Sequence, residues 1–93
     1  MSLRKHNGIY DAEWSPALNM YIMDAMQGSH LIYSDVYEIS EEAFNHFEDP
    51  GFHPEEHIKR FLFSSAGTRT PEQQRLYEIR LAELKGKAAG KDS

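Results

Sequence analysis

The strongest periodicity of apolar positions lies near the C-terminus, where Tyr77, Leu81, Leu84 and Ala88 recur at i, i+4, i+7 and i+11, flanked by Leu76 and Ile79. That spacing predicts an amphipathic helix from Pro71 to about Lys85, with one face that must dock on something. Thr70-Pro71-Glu72-Gln73 is its start signal, because Thr at the N-cap and Gln three residues on form a capping box and Pro sits at the first helical position. Lys85 and Lys87 suit the negative end of the helix, and Gly86 and Gly90 mark a loose tail.

Upstream the pattern is shorter in wavelength. Asn7-Gly8 is a turn dipeptide, and Ile9-Tyr10 after it opens an extended segment. The stretch Pro16 to Gln27 is apolar nearly all round and so must be buried on several sides. Ser15-Pro16 reads as a helix start and Gly28 as its stop, which favours a helix there; a strand over Asn19 to Met23 is the alternative. His30 to Tyr33 and Val36 to Ile39 read as two extended segments separated by Ser34-Asp35. Ser40 then opens a short helix: Glu41 and Glu42 complement its positive end, Ile39 can staple onto Phe44, and Asp49-Pro50-Gly51 ends it in a turn. Ile58 to Phe63 alternates as a strand, placing Phe61 and Phe63 on one side and Arg60 and Leu62 on the other, or else forms a short helix with Pro54 at its first position. The expected architecture is a small α+β domain over residues 7–85: an antiparallel sheet, one short helix and a C-terminal amphipathic helix, with flexible termini at 1–6 and 86–93.

Size sharpens this picture. A chain of 93 residues makes one domain, burying roughly 60–65% of its unfolded surface, so its core is thin and leaves little room for a deep catalytic cleft. The absence of cysteine excludes disulfides, thiolate metal sites and cysteine nucleophiles. The longest apolar run, Met20 to Met23, is far short of a membrane span, and no apolar leader core follows Arg4 and Lys5; a cytoplasmic location is the expectation.

Charge divides the chain. Between Lys5 and Lys59 there is no Lys or Arg but eleven carboxylates, whereas Lys59 to Ser93 holds eight basic residues against four acidic ones. The two parts are expected to neutralise each other across neighbouring surfaces. The sharper alternative is an acidic face carrying Glu38, Glu41, Glu42, Glu48, Glu55 and Glu56, which either meets a basic partner or imitates a phosphate backbone to block a DNA- or RNA-processing enzyme.

Catalytic signatures are weak. His53-Pro54-Glu55-Glu56-His57 fits the bare H-x-x-E-H pattern, yet Pro54 is tolerated only in a first helical turn, which leaves His53 at the cap with its side chain misdirected. A looser metal site would draw on His46, His53 and His57. No serine sits in a nucleophile elbow, no glycine-rich phosphate loop occurs, and pI 5.4 argues against direct nucleic-acid binding by Lys59, Arg60 and Arg69. The expectation is therefore a protein without catalytic residues, metal or cofactor. The expected function is to engage a protein partner or a second copy of the chain through Leu76, Tyr77, Leu81 and Leu84 of the C-terminal helix, with Trp14 as a further contact.

The order of Asn7-Gly8-Ile9-Tyr10, Asp35-Val36-Tyr37-Glu38-Ile39-Ser40-Glu41-Glu42 entering a helix, Lys59-Arg60 leading a strand to Gly67, and Thr70-Pro71-Glu72-Gln73 opening a charged helix resembles tail fibre assembly proteins of tailed phages. The resemblance touches the chain in scattered short patches. It implies a small chaperone that helps receptor-binding fibres fold or trimerise, with no catalytic residues to carry over.

Overall fold

The computed structural model describes residues 4–27 and 33–91, with the side chains of Gln27 and of residues 87–91 left aside. Among the described residues five strands form one antiparallel sheet in chain order: β1 (Lys5–Asn7), β2 (Tyr10–Ser15), β3 (Met20–Gln27), β4 (Tyr33–Ile39) and β5 (Ile58–Ser64). The short helix α1 (Glu41–Asn45) and a single 3-10 turn (Pro54–Glu56) follow β4, and α2 (Pro71–Lys91) follows β5. This is the α+β class that the pattern predicts. No described helix is long and apolar enough to cross a membrane.

The sheet is covered on both faces, and that explains why Pro16 to Gln27 is apolar nearly all round. The stretch is not a helix; it is a hairpin loop followed by the central strand. Its register puts Tyr21, Met23 and Ala25 on one face and Ile22, Asp24 and Met26 on the other. Ser15 and Pro16 serve a turn here, a job both residues do as well as helix starts. The Ser15 hydroxyl accepts from the Leu18 amide (3.1 Å), the Asn19 amide donates to the Ser15 carbonyl (2.7 Å), and Asn19 closes the loop at φ 58°.

On the first face Ala12, Met23 and Ile39 pack under Ala43, Phe44 and Phe47, with Tyr10, Tyr21, Tyr37 and Phe52 around them. Phe47 is fully buried. Ser40 caps α1 as its sequence promises, accepting from the Ala43 amide at 3.0 Å, and Ile39 joins Phe44 in the same cluster. The end of α1 has no basic residue of its own, so Lys5 supplies one from β1: its Nζ donates to the Phe44 carbonyl (3.0 Å) and lies over the Phe44 ring. Asn7 donates to the carbonyls of Phe47 (2.8 Å) and Phe52 (3.0 Å). Lys5 to Asn7 thus clasp the helical cap to the sheet rather than lying in a loose terminus; residues 1–3, 92 and 93 are outside the described residues.

On the second face Leu18, Ile22, Val36, Leu62 and Phe63 pack against Leu76 of α2, with Tyr77 and Ile79 beside it. The capping box forms, Gln73 N to Thr70 Oγ1 at 3.2 Å and Thr70 N to Gln73 Oε1 at 2.9 Å. The helix does not stop at Lys85: it runs through Gly86 to Lys91. Ser34-Asp35 does not interrupt β4, which is one strand; residues 30–32 of the expected first segment fall outside the described residues. Strand β5 also departs from simple alternation. Its register against β4 skips at Lys59 and at Leu62, so each is an extra residue in a β-bulge. Phe61 therefore stands beside Tyr37 on the first face, while Leu62 and Phe63 both enter the second.

Candidate functional site

Strand β2 alternates Tyr10, Ala12 and Trp14 on one face with Asp11, Glu13 and Ser15 on the other, so the face that receives α2 carries carboxylates. Burying them unpaired is prohibitive, and the helix answers with a cation. Arg80 is 4% exposed; its Nη2 donates to Glu13 Oε1 at 2.7 Å and its Nη1 to Glu83 Oε1 at 2.5 Å. Glu83 in turn accepts from the Ser15 hydroxyl (2.7 Å) and the Ala17 amide (3.1 Å). Arg4 adds a second guanidinium, bonded to Glu13 and within 3.3 Å of Asp11 and 3.6 Å of Asp24.

This network turns the helix away from the orientation its apolar stripe predicts. The buried line is Leu76, Arg80 and Glu83, not Tyr77, Leu81 and Leu84. Leu76, expected at a partner contact, is 7% exposed and belongs to the intramolecular core. Tyr77 and Leu81 are half-buried, and Leu84 is 43% exposed. Between the helix and the sheet these three border a cavity of about 160 Å³. Val36 and Phe63 form its apolar wall, Asp24 and Arg80 its charged floor. Tyr77 meets Phe63 edge to face at 5.6 Å between centroids, and the Arg69 guanidinium lies over the Tyr77 ring at 3.9 Å.

Electrostatics in this cleft follow from burial and pairing. Burial pushes the Asp24 carboxyl above its ordinary value; the charges of Arg80 and Arg4 pull it back only in part, and Glu13 and Asp11 push it further up. Burial also disfavours ionised Glu83, but hydrogen bonds from Ser15, Ala17 and Arg80 outweigh it and its carboxyl lies below the usual value. Arg80 would lose basicity through burial, yet its bonds to Glu83 and Glu13 hold it above the ordinary guanidinium.

The remaining candidates are dispersed. Trp14 lies on the face opposite α2, 37% exposed, in edge contact with Tyr21, which stacks on Phe44. Glu38 sits on the α2 face, bound by Arg60 Nε at 2.9 Å and approached by Lys59 at 3.5 Å. Glu41 and Glu42 begin α1 on the other face, the Glu48 carboxylate accepts the His6 amide (3.0 Å), and Glu55 and Glu56 lie in the 3-10 turn. Of these carboxylates only Glu38 is placed on the α2 face, where Lys59 and Arg60 pair with it. His53 caps that 3-10 turn with extended backbone, as Pro54 requires, and faces Glu55; His57 instead stacks on Phe52. His46 pairs with Asp49 at 2.7 Å. Among the described residues no three His, Asp or Glu side chains converge as a metal would need.

Sequence reasoning missed Arg4, Glu13, Asp24 and Glu83 as a unit. The signal available was the polar alternation of Asp11, Glu13 and Ser15 in a strand whose other face is apolar, beside a helix with Arg80 in its otherwise apolar stripe. No family model, curated protein or solved structure matches the chain.

Proposed function

We propose that the protein is a non-enzymatic interaction or assembly factor that receives an apolar side chain of a protein partner in the cleft between α2 and the sheet. The observation that carries this reading is the half-open cavity itself. Its wall is Val36 and Phe63, and its lip is formed by Tyr77, Leu81 and the exposed Leu84. A volume of about 160 Å³ suits one branched or aromatic side chain. The lip is apolar although α2 is otherwise well supplied with charge, and exposed leucine beside a tyrosine is the composition of a contact surface. The resemblance to tail fibre assembly proteins makes a fibre protein the first partner to try.

Co-expression with each protein encoded beside it tests the proposal. The expected result is a complex that Leu84→Asp and Leu81→Asp abolish while their urea midpoints stay near wild type. A complex indifferent to both substitutions, or none with any such protein, overturns it. If the partner is a second copy of the chain, sedimentation velocity shows a dimer that the same substitutions dissociate.

A further inference from the structure

Among the described residues the helical cap packs on only part of the first sheet face. Ala12, Met23 and Ile39 lie beneath Phe44 and Phe47, whereas the end of the sheet formed by Ala25, Tyr33 and Asp35 extends beyond that cluster. Register fixes what stands there. Tyr10 and Asp35 flank Ala25 on either side, Tyr33 and Tyr37 precede and follow Asp35 at two-residue spacing on the same face, and Phe61 is opposite Tyr37. With strands about 4.8 Å apart and ~6.8 Å between alternate residues, Tyr33 and Tyr37 are the same-face neighbours of Asp35, Phe61 stands diagonally across and Tyr10 lies on the far side of Ala25. Ala25 between them is buried at 1% exposure, while Tyr33, Asp35 and Tyr37 are half-buried. Tyr37 meets Phe61 edge to face at 5.5 Å.

We infer that this shelf is a binding site for a lysine or arginine side chain of a basic protein segment, which places its cation between Asp35 and the faces of Tyr10, Tyr33 and Tyr37. Complementarity of charge is the argument. Among the described residues the cations of the neighbouring strands are committed elsewhere: Lys5 to the end of α1, Arg4 to Glu13, and Lys59 and Arg60 to Glu38 on the far face through the bulge at Lys59. The shelf thus combines an acidic group with electron-rich ring faces, the two features that attract an organic cation. The Tyr37 hydroxyl reports the same field: burial first, then Asp35, Tyr10 and Tyr33, hold its proton on more tightly than usual. This site is on the opposite side of the sheet from the α2 cleft and stands or falls independently of it.

Titration of the full chain with a short oligoarginine peptide, followed by amide and aromatic NMR shifts, tests the inference. The expected result is saturable shifts centred on Ala25, Tyr33, Asp35 and Tyr37. Asp35→Asn should weaken binding about tenfold, as loss of a charge-assisted contact does. Tyr37→Phe should keep it, because the ring face is retained. If Asp35→Asn is poorly folded, Tyr33→Ala at the end of the strand carries the same expected loss. Shifts that instead follow Glu41, Glu42, Glu55 and Glu56 without saturation overturn the site, as does binding unchanged by Asp35→Asn. Saturation by tetramethylammonium with none by oligoarginine, or self-association through the shelf, also overturns it.

Discussion

At the residue scale, Arg80 decides how the helix meets the sheet. Its guanidinium bridges the Glu13 carboxylate of β2 and the Glu83 carboxylate of its own helix, and both carboxylates sit in poorly hydrated surroundings. Arg80→Met leaves the Glu83 carboxylate without a cation and Glu13 with Arg4, so it is expected to cost about 3 kcal/mol, a large part of the stability of a chain this small. Adding Glu83→Gln should recover part of that loss, which urea unfolding of the single and double variants measures. Glu83 gives the same network a pH dependence with a definite sign. Its folded-state carboxyl lies below the unfolded value of 4.5, so its contribution is complete above that pH and disappears as pH falls through the lower folded value. Glu83→Gln should therefore destabilise by about 1–3 kcal/mol at neutral pH. At acid pH the variant and wild type should converge.

At the element scale, the same local signals open a helix in one place and a turn in another, and the reason is physical. Ser40 and Thr70 sit before helices whose next residues include Glu42, Gln73 and an apolar stripe; local and tertiary preferences agree, and both caps form. Ser15-Pro16 carries the same helix-opening chemistry, but the residues after it are wanted by two sheet faces at once. A fully covered strand and a buried helix are both apolar throughout, so periodicity cannot separate them. What separates them is Asn19, whose φ of 58° closes a hairpin. Asn19→Ala should cost about 1–2 kcal/mol because a β-carbon is disfavoured there, whereas Asn19→Gly should be close to neutral. Thermal unfolding of the two variants provides the comparison. The α+β class and both helices were legible because their signals are local. The bulges at Lys59 and Leu62 and the rotation of α2 were not, since each answers to groups far away in the chain.

At the scale of the whole molecule, the unequal charge of the two halves is partly resolved by folding. Arg80 reaches back to Glu13, and Lys59 and Arg60 reach back to Glu38, all on the face that α2 covers. The opposite face keeps Asp35, Glu41 and Glu42. The exposed pair of Arg60 with Glu38 contributes little, so Glu38→Gln is expected to shift stability by less than about 1 kcal/mol, a result that salt titration of the urea midpoint can check.

The doubled skip in β5 has a consequence for how this sheet ends. Ordinarily, losing one residue from a strand turns every later side chain inside out. Lys59 and Leu62 are exceptions, because each is the surplus member opposite a single partner; excising both would leave the inward and outward positions of their neighbours unchanged. It would also straighten an outer margin that is now kinked, and a straight, aromatic margin is a template on which further chains can stack. Excising both, at the cost of the buried Leu62 side chain, is therefore expected to favour edge-to-edge stacking, which a rise in thioflavin fluorescence of the doubly deleted chain would register.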